Sequence, residues 1–197
     1  MIRSRKKMAI VALVAGVATV LGTTSLAFGS VKPGTVVTGK STNTVFNGTI
    51  NGVPITVTCT NFTDKVKVTS SDKTSAVIPA PTINGCTDTL GGTDTIKTSS
   101  KDGKWELKVN STGKTLTLVI PKDGATFTSS VLSSCTIQAA PTKAVNVAGT
   151  YNSSNGTDTV SNKTIAVTGK GCTASNAKVT TTVTFTPNPG KIPPFAS

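Results

Sequence analysis

Residues 101–124 read KDGKWELKVNSTGKTLTLVIPKDG, and the alternation within that stretch decides the fold class. Trp105, Leu107 and Val109 alternate with Glu106, Lys108 and Asn110. Leu116, Leu118 and Ile120 then alternate with Thr115, Thr117 and Val119. A repeat of two is that of a strand with one face in a core. Ser111, Thr112 and Gly113 separate the two runs, and a short loop containing Gly between such runs signals a hairpin. Asp102-Gly103 and Asp123-Gly124 punctuate both ends. The stretch is predicted to be a β-hairpin carrying the only Trp and the only Glu of the chain. Trp105, Leu107, Leu116, Leu118 and Ile120 should point into one core, with Glu106 and Lys108 outside.

The same pattern extends in both directions. Thr44 to Ile50 and Val53 to Cys59 flank Asn51-Gly52, a dipeptide suited to a two-residue type I′ turn because both central residues need positive φ. Pro54 cannot donate to a ladder, which places the second of these strands at a sheet edge or starts it beyond the proline. Further strand-like runs lie at 65–69, 76–78, 82–86, 93–98, 125–129, 135–138, 144–151, 158–161, 164–168 and 177–187, while 30–39 reads as a lead-in around Pro33-Gly34. After residue 30 no run of ten residues has helical periodicity. Thr makes up 38 of 197 residues, and Thr and Val both favour strands. The expected class is all-β: a disulfide-linked antiparallel β-sandwich or β-barrel-like domain. A membrane barrel would need strands of about 9–11 residues and aromatic girdles, and six Phe, one Trp and one Tyr do not supply them.

The start of the chain belongs to a different kind of segment. Arg3, Arg5, Lys6 and Lys7 precede a run from Met8 to Leu21 that is apolar apart from Gly16 and Thr19, and small residues follow to Gly29. That is the three-part pattern of a secretory signal peptide, and its apolar run is shorter than the roughly 20 residues of a membrane span. Residues 1–29 are therefore expected to be a signal peptide, and 30–197 a single all-β secreted domain. The formal charge of +12 falls to +8 when the four basic residues of the signal leave with it. All sixteen remaining basic residues are Lys, and no His occurs anywhere. Arg is the usual bidentate reader of phosphate and guanine, so a specific nucleic-acid role is poorly supported. The lysines are expected to lie mostly on solvated strand faces and turns.

Cys59, Cys86, Cys135 and Cys172 all follow the signal. An even count in an exported chain reads as two disulfides. Four cysteines allow three connectivities. Cys59–Cys86 with Cys135–Cys172 is preferred, because closing nearest neighbours needs the least long-range organisation. The cysteine spacings do not suit a metal site, and no cofactor or metal is expected.

Catalytic chemistry finds little support. Without His, neither a Ser-His-Asp nor a Cys-His site can form. Ser-x-x-Lys occurs at Ser70/Lys73, Ser111/Lys114 and Ser175/Lys178, in turns or strand starts and without the companion signatures of the β-lactamase class. Five of the eight carboxylates, Asp88, Asp94, Asp102, Glu106 and Asp123, fall between residues 88 and 123, and a glycosidase needs two facing carboxylates. These five are read as turn and surface residues. No catalytic residue is assigned.

Asn84-Gly85-Cys86, Gly103-Lys104-Trp105-Glu106-Leu107, Leu118-Val119-Ile120-Pro121, Ser134-Cys135-Thr136 and Lys170-Gly171-Cys172 follow one another in that order. Over roughly residues 55–175 the chain resembles small secreted β-rich proteins of actinobacteria that have no assigned biochemical activity. It departs from them in its richness in Lys and Thr, and the resemblance implies no site residues. The resulting expectation is a secreted, non-enzymatic β-domain, extracellular or associated with the cell wall, acting as a binding or structural module. Its Lys-rich surface would face anionic cell-wall polymers. The alternative is a small extracellular hydrolase that uses carboxylates alone on glycans.

Overall fold

The computed structural model describes residues 32–69, 74–110 and 112–188. The expected signal peptide, Ser70, Lys73 and Ser111 lie outside the described residues. The described chain is built from β-strands and contains no helix. In order, the strands are β1 (Val36–Ser41), β2 (Thr44–Ile50), β3 (Val53–Lys67), β4 (Ser75–Ile78), β5 (Thr82–Asp88), β6 (Thr93–Thr98) and β7 (Trp105–Val109). They continue as β8 (Thr115–Ile120), β9 (Ala125–Ser129), β10 (Thr136–Ala139), β11 (Val145–Asn152), β12 (Thr157–Ile165), β13 (Val167–Lys170) and β14 (Ala177–Asn188).

All fourteen belong to one sheet, and every pairing in it is antiparallel. Its centre is an end-to-end pair. β1 and β2 lie one after the other between the long strands β3 and β14, each taking half of their length. One wing continues from β3 through β5, β6, β9 and β10 to β13; the other continues from β14 through β12, β11, β8 and β7 to β4. The inner faces of the two wings share one core. Trp105 and Leu107 of β7 line the same interior cavity as Ile96 of β6 and Ile137 of β10.

The 105–120 hairpin sits in the second wing with Leu107 opposite Leu118 and Val109 opposite Leu116. Trp105, Leu107, Leu116 and Ile120 are buried, Leu118 is partly so, and Glu106 and Lys108 form a 3.2 Å ion pair at the surface. Asn51 and Gly52 have φ of 51° and 80°, the conformation of a two-residue type I′ turn between β2 and β3. Cys59 and Cys86 are directly opposite one another on β3 and β5 and are disulfide-bonded. The second disulfide joins Cys135, just before β10, to Cys172, just after β13, and closes the outer end of the first wing.

Two expectations need correction. β3 is not an edge strand: Pro54 opposes Thr49 at the hairpin end, and β5 pairs with β3 only from Val57 onward, so no partner on that side requires a proline N–H. The expected lead-in to residue 39 contains most of a central strand, β1. Its inward positions are Val37, Gly39 and Ser41, which show no apolar alternation because other groups already fill the space in front of them.

Candidate functional site

The space in front of β1 is filled by acid. Asp64 occupies an inward position of β3, between the buried Phe62 and Val66, opposite Gly39. Its Oδ1 accepts the Gly39 N–H at 3.0 Å. A Cβ on Gly39 would collide with that oxygen and with Phe185 of β14. Three strands along from β3, Asp158 occupies an inward position of β12 between Val183 of β14 and Tyr151 of β11. It lies over Gly149, where a Cβ would collide with both carboxylate oxygens. Tyr151 and Phe185 meet edge to face with ring centroids 6.5 Å apart. Each carboxylate is thus seated on a glycine of a neighbouring strand, and the two flank the Val183–Phe185 segment.

This seating yields a direct test. Gly39→Ala is expected to destabilise by about 2–3 kcal/mol, the usual cost of forcing extra atoms into a filled core. Gly48→Ala, on an inward position of β2 with only ordinary contacts near 3.7 Å, should stay within about 0.5 kcal/mol. Urea unfolding of both variants measures the difference, and equal losses would show that Asp64 does not fill the space at Gly39.

Both aspartates are more than nine-tenths buried. Burial raises Asp64 to about 6, against the opposing hydrogen bond from Gly39. Burial, and then the charge of Asp64, raises Asp158 to about 7. Oδ1 of Asp158 has no hydrogen-bond partner. The hydroxyls of Thr44, Thr181 and Ser41 are engaged with one another or with backbone. Thr44 Oγ1 meets Thr181 Oγ1 at 2.9 Å, Thr181 donates to Ser41 at 3.0 Å, and Ser41 donates to the Asn43 carbonyl at 3.2 Å. Asp64, Asp158, Thr44 and Thr181 line one cavity of ≈ 170 Å³ whose walls are otherwise mainly apolar side chains.

A second acid pair lies in the first wing. Asp88 ends β5 and Asp94 lies in β6, and both are buried rather than surface residues of a turn. Asp88 accepts the Leu90 N–H at 2.8 Å, the Gly92 N–H at 3.0 Å and the Ser129 hydroxyl at 2.7 Å. Burial works to raise it, but these hydrogen bonds outweigh burial and hold Asp88 below its ordinary value. Burial, then a hydrogen bond with Asp88 and its charge, raises Asp94 to about 6. As an anion Asp94 finds no donor. When protonated it can donate to Asp88. Asp88 clamps the turn between β5 and β6, with its oxygens spent on that turn and on Ser129 of β9.

No family model matches the chain, and neither does any curated protein or solved structure. The functional reading therefore rests on the sequence and on this geometry. Of the Ser-x-x-Lys pairs, Ser175 accepts hydrogen bonds from the Thr49 N–H at 3.0 Å and its hydroxyl at 2.8 Å, which leaves it engaged in a strand contact. Sequence reasoning passed over Asp64 and Asp158. The available signal was an Asp in phase with buried positions, as in Phe62-x-Asp64-x-Val66 and Asp158-x-Val160.

The outer surface has the opposite charge. All fourteen lysines among the described residues are exposed, whereas Asp64, Asp88, Asp94 and Asp158, half of the chain's eight carboxylates, are buried. Among the described residues, ion pairs join only Lys108 to Glu106 and Lys122 to Asp123, the latter at 3.8 Å. Lys40, Lys65 and Lys67 stand on outward positions of β1 and β3. Thr38, Thr184 and Thr186 stand beside them, and a shallow groove runs between β1 and β14. The outward positions of β1, β3 and β14 carry no Asp or Glu. No helix among the described residues is long and apolar enough to cross a membrane.

Proposed function

We propose that the chain is an exported, non-enzymatic module of the extracellular space or cell envelope, whose lysine-bearing sheet face attracts anionic envelope polymers. The observation that carries this reading is the segregation of charge, with carboxylates drawn into the interior and lysines left outside. A fold that buries half of its acids presents a surface more positive than its formal charge suggests. The tripartite start and the two disulfides support export. Lysine is a hydrated point charge suited to diffuse attraction, and the neighbouring Thr hydroxyls can hydrogen-bond to phosphate or sugar oxygens of a polymer lying across β1 and β14.

The hydrolase reading draws on Asp64 and Asp158. Against it, the two line a mainly apolar interior, where a hydroxyl-rich sugar would give up hydrogen bonds to water without replacing them.

Retention of the mature protein on isolated cell walls, followed against salt, tests the proposal. Exposed charges are screened over ~8 Å at physiological ionic strength and ~3 Å at 1 M. Retention should be strong at low salt and lost well below ~1 M, and exchanging Lys40, Lys65 and Lys67 together for Gln should weaken it severalfold. Retention unchanged at ~1 M salt, or absent at every salt concentration, would overturn the proposal.

A further inference from the structure

The interior acids place a chemical demand on the cavity that the chain itself does not meet. Asp158 is more than nine-tenths buried, it lines the cavity, and its Oδ1 lacks a partner. Asp64 lines the same space. Buried carboxylates are ordinarily paired or fully hydrogen-bonded. No lysine is available to pair with these, since every described lysine is exposed, and the hydroxyls of Ser41, Thr44 and Thr181 are engaged with one another or with backbone. The rest of the wall is chiefly aliphatic and aromatic, and it extends to the partly buried Phe46, Phe127 and Val167 and the exposed Ser175, which solvent reaches.

We propose that this cavity is a binding site for a small apolar amine, whose ammonium group is held by Asp158 and Asp64 while its hydrocarbon body fills the apolar part. The ammonium supplies the donor that Oδ1 of Asp158 lacks. The body is limited by size: an apolar cavity of about 150 Å³ accommodates benzene, and this one is ≈ 170 Å³. An anionic ligand would meet two carboxylates, and a sugar would meet the apolar wall. This site is separate from the outward lysine face and does not depend on that face binding a polymer.

The test uses the full mature chain at about pH 8, above the values to which Asp64 and Asp158 are raised. The probes are benzylamine, benzyl alcohol and toluene. Trp105 is the only Trp and lines the cavity, so its fluorescence reports occupancy, and calorimetry gives the affinity. Benzylamine should bind at least about tenfold more tightly than either neutral probe, which is the lower end of what a hydrogen bond to a charged group contributes. Asp158→Asn should remove that preference and leave the toluene affinity within about twofold; retained toluene binding also shows that the variant is folded. Asp64→Asn should weaken benzylamine by a smaller factor. Equal affinity for all three probes, no binding, or a benzylamine preference that survives in both variants would each overturn the proposal. If neither variant folds, the ranking of the three probes on the wild-type chain still decides it.

Discussion

The protein is expected to lose stability as the pH rises from about 4 to about 7, and Asp158→Asn is expected to remove the largest single share of that loss. Asp158 has its carboxyl raised from 3.8 to about 7 in the folded chain, by burial and then by the charge of Asp64. Between those two values the folded state holds a proton that the unfolded state has released. Stability falls with pH wherever the folded state binds more protons. The contribution is therefore fully present below about pH 4, declines through the interval, and is gone above about pH 7. The interval corresponds to about 4 kcal/mol, at about 1.4 kcal/mol per tenfold change in proton activity. Asp64 and Asp94, each raised to about 6, act in the same direction, while Asp88, held low, acts in the opposite one. Asp158→Asn keeps the shape and discards the charge. It should change little at pH 4 and raise the melting temperature at pH 8 by roughly 10 °C, given about 2–4 °C per kcal/mol for a chain of this size. Thermal unfolding of both proteins at pH 4, 6 and 8 measures this. Wild-type stability that is flat or rising from pH 4 to 7 would show that the interior acids ionise freely.

The same acids mark the limit of what could be read from the sequence. The 105–120 hairpin was legible because its inward residues, Trp105 to Ile120, are apolar and recur every second position. Asn51-Gly52 was legible because few dipeptides adopt the backbone that turn needs. β1 was not legible, because the apolar signal is missing at Gly39 and Ser41. Gly39 is small since the carboxylate of Asp64 and the ring of Phe185 occupy the place of its side chain, and those groups come from residues 25 and 146 positions away. Asp64 and Asp158 were hidden for a related reason. A charged residue at an inward position looks like a break in the pattern until the neighbouring strands are known. Asp88 and Asp94 were assigned to turn and surface, which is where Asp is usually found. The hydroxyl of Ser129 on β9 binds Asp88, and Ser129 stands opposite Asp94 through a strand pairing that local sequence does not encode.

Trp105→Ala is expected to cost about 3–5 kcal/mol, the range for removing a large aromatic from a core. The side chain is 2% exposed and faces the interior from β7. Trp105 opposes Ile78 of β4, so it lies near the free edge of the second wing, where only one further strand follows. Its Nε1–H donates to the Ser99 carbonyl at 2.8 Å, and Ser99 directly follows β6 of the opposite wing. One residue therefore supplies both apolar area to the shared core and a hydrogen bond between wings that the sheet ladder does not join at that point. Two substitutions separate the contributions. Trp105→Phe keeps most of the apolar area and removes only the donor; the Ser99 carbonyl then loses its partner, at about 1–3 kcal/mol. Trp105→Ala removes both and enlarges a cavity that the ring already lines, so the walls have little left to collapse onto. Urea unfolding should rank wild type above the Phe variant and the Phe variant above the Ala variant. A loss below about 1 kcal/mol for Trp105→Ala would mean that the ring does not hold the wings together in solution, and an exposed aromatic platform for a ligand would then be the better account of the only tryptophan in the chain.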